Sequence, residues 1–128
     1  MALPLPRSLL VALGGLAGSV ARYWLSGAVQ ELTGPVFPSG TLAVNVVGSF
    51  VIGLVMALSL ERGLLNEEWR ILLTTGFCGG FTTMSTFSYE TLALLRAGES
   101  LLALWNVGAS FVASLSAAWL GTIIGQRM

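Results

Sequence analysis

The chain has 128 residues, 55% of them hydrophobic and only 9% charged, against about 25% charged in an ordinary soluble domain. Its six basic residues are all arginine and its six acidic residues all glutamate, so the net charge is zero. A water-soluble domain this small would need more polar surface around its core, and a nucleic-acid partner would call for an excess of positive charge. One cysteine, with no histidine or aspartate, excludes a disulfide framework, the usual zinc and haem sites, and triad hydrolysis. A non-enzymatic membrane protein is expected.

The first apolar run, Leu9 to Leu25, is interrupted only by Arg22. A cleavable secretory signal competes for this stretch, because Arg7 precedes it and small residues follow. However, Tyr23 and Trp24 come directly after Arg22, and these are residues that a span places at the interface. A retained helix is the better reading. No charge occurs from Leu42 to Leu60, from Ile71 to Tyr89, or from Leu101 to Ile124. A membrane-crossing helix needs about 20 mostly apolar residues. The expected fold class is therefore an all-α membrane protein, one transmembrane domain over 1–128, with four spans near 8–29, 41–61, 69–95 and 100–125.

Between the spans lie short segments holding Glu31, Pro35, Pro38, Glu61, Arg62, Glu67, Glu68, Arg70, Arg96 and Glu99. Turns this short make neighbouring helices antiparallel. With alternating spans, Arg7, Arg62, Arg70 and Arg127 fall on one side, and Arg96 and Arg22 on the other. That is a thin inside-positive bias, compatible with insertion both ways round. Gly14 and Gly18, Gly76 and Gly80, and Gly121 and Gly125 form G-x-x-x-G steps that let helices approach closely. These read as packing seams. Four short spans enclose little volume, so a pathway is expected to need a second copy. Cys78 reads as a small apolar filler.

Polar residues inside spans cost more and so say more. Thr41, Asn45 and Ser49 share one face of the second span, and Asn106, Ser110 and Ser114 share one face of the fourth. A membrane serine often only bonds the carbonyl four residues back, an outlet an asparagine amide lacks. The stripes leave packing and a polar track both open. The third span reads TTGFCGGFTTMSTFS from Thr74 to Ser88, crowded with hydroxyls and glycines. Gly79-Gly80 followed by Thr82-Thr83 is expected to break this helix at mid-membrane. Such a break is tolerated where protein or a cavity satisfies the backbone, and transport proteins use it as an ion site; a kinked packing helix is the alternative.

Apart from Arg22, the groups within the spans are neutral hydroxyls, amides and backbone. Proton-bearing neutral groups replace an anion's hydration, and phenylalanine ring edges carry positive partial charge. A cation path would want a buried carboxylate, for which Glu90 is the one candidate. The pattern favours a small anion without naming it.

The chain resembles the small bacterial fluoride channels of the Fluc family over nearly its whole length. The resemblance is carried by GGLAGSVARYW (Gly14 to Trp24), GTLAVN (Gly40 to Asn45), TTGFCGGFTTMSTFSYE (Thr74 to Glu90) and GASFVAS (Gly108 to Ser114). It implies an antiparallel dual-topology homodimer in the bacterial inner membrane, with two fluoride pores along the subunit interface and lipid around it. By the same resemblance the fluoride pathway takes in Asn45, Met84, Ser85, Thr86, Phe87, Asn106, Ser110 and Ser114. Met84 departs from the family's phenylalanine, so Phe87 is the firmer anion contact. Arg22 is implied at a pore entrance or in its support. A structural sodium ion on the dimer axis is implied at the backbone carbonyls of Gly79 and Thr82.

The implied mechanism is passive, selective fluoride export. No G-x-x-x-x-G-K-[ST] motif couples the chain to a fuel. The alternative is a small multidrug-type drug/proton antiporter, but the carboxylate that chemistry needs in the first span is replaced here by Arg22. A non-transporting membrane assembly subunit is a third reading, and it leaves the hydroxyl-rich third span without a purpose.

Overall fold

The computed structural model describes residue 2 and residues 4–128. All regular structure among these residues is helical. Helix α1 spans Arg7–Thr33, and α2 spans Ser39–Glu61, its last turn, Ala57–Glu61, widened to a π-helix. The third limb is in two pieces: α3 over 67–81, with a π-helical stretch at Leu72–Cys78, and α4, Met84–Arg96. Helix α5, Ser100–Arg127, closes the chain. Three of these helices, Arg7–Thr33, Ser39–Glu61 and Ser100–Arg127, are each long and apolar enough to cross a bilayer. The third limb is divided by its break.

The connections are short because each has a residue suited to reversing the chain. Gly34, Gly63 and Gly98 take positive φ values of 86°, 65° and 78°, a region open to glycine at no steric cost. The α1–α2 corner is pinned by one side chain. Gln30 Nε2 donates to the carbonyls of Gly34 (2.6 Å) and Phe37 (2.9 Å), and Gln30 Oε1 accepts from Gly40 N at 3.1 Å. Helix α3 starts at Asn66, whose side chain accepts from Trp69 N at 3.0 Å. Glu67 and Glu68 in its first turn suit the positive end of the helix dipole.

Helix α2 is the central post. Gly40, Thr41, Val44, Gly48, Gly53 and Val55 are buried along it. Helix α1 crosses α3 at Gly14 and Gly18, where there is no room for a side chain. A Cβ on Gly14 would lie 2.8 Å from Phe77 N, and one on Gly18 would lie 3.0 Å from Phe81 N. Large apolar residues meanwhile face outward, among them Leu16, Trp24, Leu115 and Trp119. In lipid nothing drives such residues inward, so contacts fall to small residues instead. At one end of the bundle Arg7 pairs with Glu67 at 2.8 Å, and Gln126 Nε2 donates to Glu61 Oε2 at 2.7 Å.

The break in the third limb lies slightly beyond the glycine pair. Gly79 and Gly80 remain helical, and the chain becomes extended at Thr82 (φ −88°, ψ 159°) and Thr83 (φ −152°, ψ 115°). Two β-branched residues accept extended backbone readily, and the freed N–H and carbonyl of Thr83 find partners on Asn45.

Candidate functional site

The break is built by substitution of hydrogen bonds. The last bond of α3 runs from Thr82 N to Cys78 O at 2.9 Å. In a continuing helix Thr83 N would bond the Gly79 carbonyl; here it donates to Asn45 Oδ1 at 2.8 Å. Asn45 Nδ2 returns a bond to Thr83 O at 3.1 Å. Thr86 N would likewise bond the Thr82 carbonyl, but donates to Thr83 Oγ1 at 3.2 Å. That last contact is an N-cap for α4. The carbonyls of Gly79 and Thr82 are thereby released from their helical donors.

Beside the break lies a groove of about 670 Å³. Helix α2 contributes Asn45, Ser49 and Ile52 to it, and the break contributes Gly79, Thr82 and Thr83. Met84 and Phe87 line it from α4, and Ser110, Phe111 and Ser114 from α5. The Phe87 ring is 8% exposed and meets Phe111 edge-to-face, with centroids 6.1 Å apart and planes at 87°. Met84 is 62% exposed. Ser49 gives its proton to the Asn45 carbonyl at 2.7 Å, the self-satisfying arrangement of a membrane serine. Cys78, also at the groove, is buried with its thiol 3.8 Å from the Gly48 carbonyl.

The residues singled out from sequence are therefore brought together only in part. Asn45, Met84, Phe87, Ser110 and Ser114 share the groove, as do Gly79 and Thr82. Ser85 and Thr86 are exposed on the first turn of α4, outside the lining, with their hydroxyls 3.2 Å and 3.0 Å from Thr83 Oγ1. Asn106 lies behind the groove, 2% exposed, and donates to Thr91 Oγ1 at 2.9 Å. Arg22 is half-buried on α1, away from the lining, and its carbonyl accepts from Ser26 Oγ at 2.6 Å. Glu90 Oε1 is buried without a hydrogen-bond partner.

Three further residues play parts that the sequence reading did not give them. Thr83 was named only with Thr82 in the expected break, and its bonding role needs Asn45 from another helix. Thr91 stands outside both polar stripes. Phe111 sits beside Ser110 and shows as a groove residue only once α4 is docked on α5.

Released carbonyls are hard oxygen ligands suited to a hard cation. Among the described residues there is no cluster of three or more His, Cys, Asp or Glu side chains to hold a metal. The released carbonyls of Gly79 and Thr82 have the donor chemistry that such a cation, sodium included, would take.

Residues 9–122 match the family described as CrcB-like protein, Camphor Resistance (CrcB). The chain belongs to the CrcB family. The match takes in the break and every groove residue. A relative from Geotalea uraniireducens (strain Rf4), named fluoride-specific ion channel FluC, is 51% identical over 120 residues, covering 94% of this chain and 97% of the relative. Proteins of the same name from Geobacter sulfurreducens (50% over 120 residues, 94% and 97% covered) and Chlorobaculum tepidum (51% over 118 residues, 92% and 93% covered) are similarly close.

Proposed function

We propose that this chain is a passive, selective fluoride channel, a multi-pass bacterial inner-membrane protein that lets cytoplasmic fluoride leave the cell. The observation that carries the reading is about 50% identity, over more than nine-tenths of the chain, to proteins named fluoride-specific ion channels. The chemistry of the groove supports it: its polar groups are uncharged amides, hydroxyls and backbone beside aromatic rings.

Fluoride exchanges water for these donors. An asparagine amide has two N–H protons; Asn45 gives one to Thr83 and keeps the other for the ion. Thr86 Oγ1 accepts from Thr83 Oγ1, which leaves its own proton to donate. The Ser110 hydroxyl is 3.5 Å from Asn106 Oδ1, a contact long enough for an anion to outcompete. Ser114 continues the line along α5, and the edge of the Phe87 ring offers positive partial charge. An inside-negative potential drives an anion outward by about 2.3 kcal/mol per 100 mV. No fuel is required.

The working unit is an antiparallel homodimer with two pores at its interface. The apolar, outward-facing rim of the groove at Met84, Phe111 and Leu115 and the thin charge bias support a second copy there, with lipid over the remaining surface. A structural sodium ion, held by the Gly79 and Thr82 carbonyls of both subunits, would supply a fixed positive charge beside the paths and tie the subunits together. Arg22 would stand at a pore entrance or support it, adding to the same attraction.

Fluoride efflux from liposomes containing only this protein, followed with a fluoride electrode and a potassium ionophore, tests the reading. Rapid efflux without any proton gradient is expected. Efflux that requires an opposing proton flux would instead favour an exchanger.

A further inference from the structure

Helix α4 carries Met84 and Phe87 to the groove, yet few side chains hold it in place. Phe87 is the only buried residue of α4. Its ring contact with Phe111 is one tie to α5. One turn further along, Asn106 Nδ2 donates to Thr91 Oγ1 at 2.9 Å, and Thr91 Oγ1 donates to the Phe87 carbonyl at 2.8 Å. The bonds thus run from α5 through Thr91 to the backbone of Phe87. On its other side Asn106 Oδ1 faces the hydroxyl of Ser110 at 3.5 Å. Asn106 is 2% exposed and absent from the groove lining. Burying an amide is costly unless it is bonded, and each bond of this one leads to a groove residue.

We infer that Asn106 and Thr91 are a positioning pair for the pathway, setting where Phe87 and Ser110 stand without touching the ion. The inference rests on the fluoride-channel reading and moves Asn106 from the pathway's lining to its support. In lipid, helices lack a hydrophobic drive to associate, so close packing and interhelical hydrogen bonds set their relative placement. If the Thr91 bond is lost, the ring contact and the Asn45–Thr83 exchange remain as anchors near the first turn of α4. Thr91→Val keeps the shape of the side chain and removes its hydroxyl; Thr91→Ser restores the hydroxyl.

The test uses the full-length protein in liposomes, with T91V, N106A, the double variant and T91S compared for fluoride and chloride efflux. In parallel, protein labelled with 4-fluorophenylalanine gives a fluorine NMR signal for Phe87, assigned by its disappearance in F87L. T91V and N106A are each expected to lower fluoride efflux about 3- to 18-fold, the span that interhelical hydrogen bonds in membranes convert to. The double variant falls no further than the worse single one. T91S returns to within about twofold of the parent, and the Phe87 signal shifts in T91V and returns in T91S. Parental efflux with an unmoved Phe87 signal in T91V would overturn the pairing. A far larger loss in N106A than in T91V, simply multiplied in the double variant, would make Asn106 a direct ion contact instead. Should the parent pass no fluoride, the channel reading fails, and the Phe87 signal still decides the positioning.

Discussion

Asn45 and Thr83 exchange two hydrogen bonds across the gap between α2 and the broken third limb, Thr83 N to Asn45 Oδ1 at 2.8 Å and Asn45 Nδ2 to Thr83 O at 3.1 Å. One amide side chain supplies both the acceptor and the donor that the helix gives up, and it still faces the groove. The break and the carbonyls it releases therefore depend on one residue, which is also the proposed anion donor.

Asn45→Asp keeps the size of the side chain but replaces its N–H donors with oxygen, setting an anionic oxygen against the Thr83 carbonyl. The variant is expected to lose fluoride efflux and about 1–3 kcal/mol of stability, the usual cost of stranding a buried polar partner. Efflux assays and thermal unfolding in detergent read the two losses separately. Normal efflux from liposomes carrying it would refute the role assigned to this amide.

Gly18 separates packing from chemistry. A Cβ there would lie 3.0 Å from Phe81 N, a backbone atom, whereas Gly27 has nothing within 4 Å. Gly18→Ala is expected to destabilise the protein by about 1–3 kcal/mol through overpacking. Gly27→Ala should be neutral or stabilising by less than about 1 kcal/mol. Melting temperatures of the two variants check the contrast, and equal values would contradict the α1–α3 packing.

Much of the helical framework was legible in the sequence. The four limbs show as gaps between charged residues, because a charge inside lipid is expensive. A break in the third limb was also legible, within the stretch from Gly79-Gly80 to Thr82-Thr83. Which of these two pairs leaves the helix was not legible, because glycine only permits a break. The break forms at Thr82-Thr83 because Asn45, far away in sequence, can satisfy the backbone there. Periodicity placed Asn106 and Ser110 on one face of α5 and could not say that Asn106 turns toward Thr91 while Ser110 reaches the groove. Phe111 was hidden for a similar reason: a phenylalanine in an apolar span looks the same toward lipid or toward Phe87.

The two α4 residues at the groove should not count equally. Phe87 is 8% exposed and locked against Phe111, whereas Met84 is 62% exposed and has no ring. Phe87→Leu is expected to lower fluoride efflux about tenfold, the equivalent of about 1.4 kcal/mol of lost ring-edge interaction. Met84→Leu should change efflux far less. Measuring both variants in the same vesicles settles the order.

The sodium site proposed at the carbonyls of Gly79 and Thr82 would make stability depend on the cation present. A bound ion stabilises by about 2.7 kcal/mol at 100 times its Kd. Replacing sodium with N-methyl-D-glucamine is therefore expected to lower the melting temperature and loosen the dimer. An identical melting temperature in both salts would count against the site.

The most direct measurement is the ratio of fluoride to chloride efflux from vesicles that contain this protein and no other. The account predicts fast fluoride loss with chloride retained, because the neutral donors beside Asn45 and Phe87 replace the water of the smaller ion. Vesicles that hold fluoride, or that leak both halides at similar rates, would contradict it.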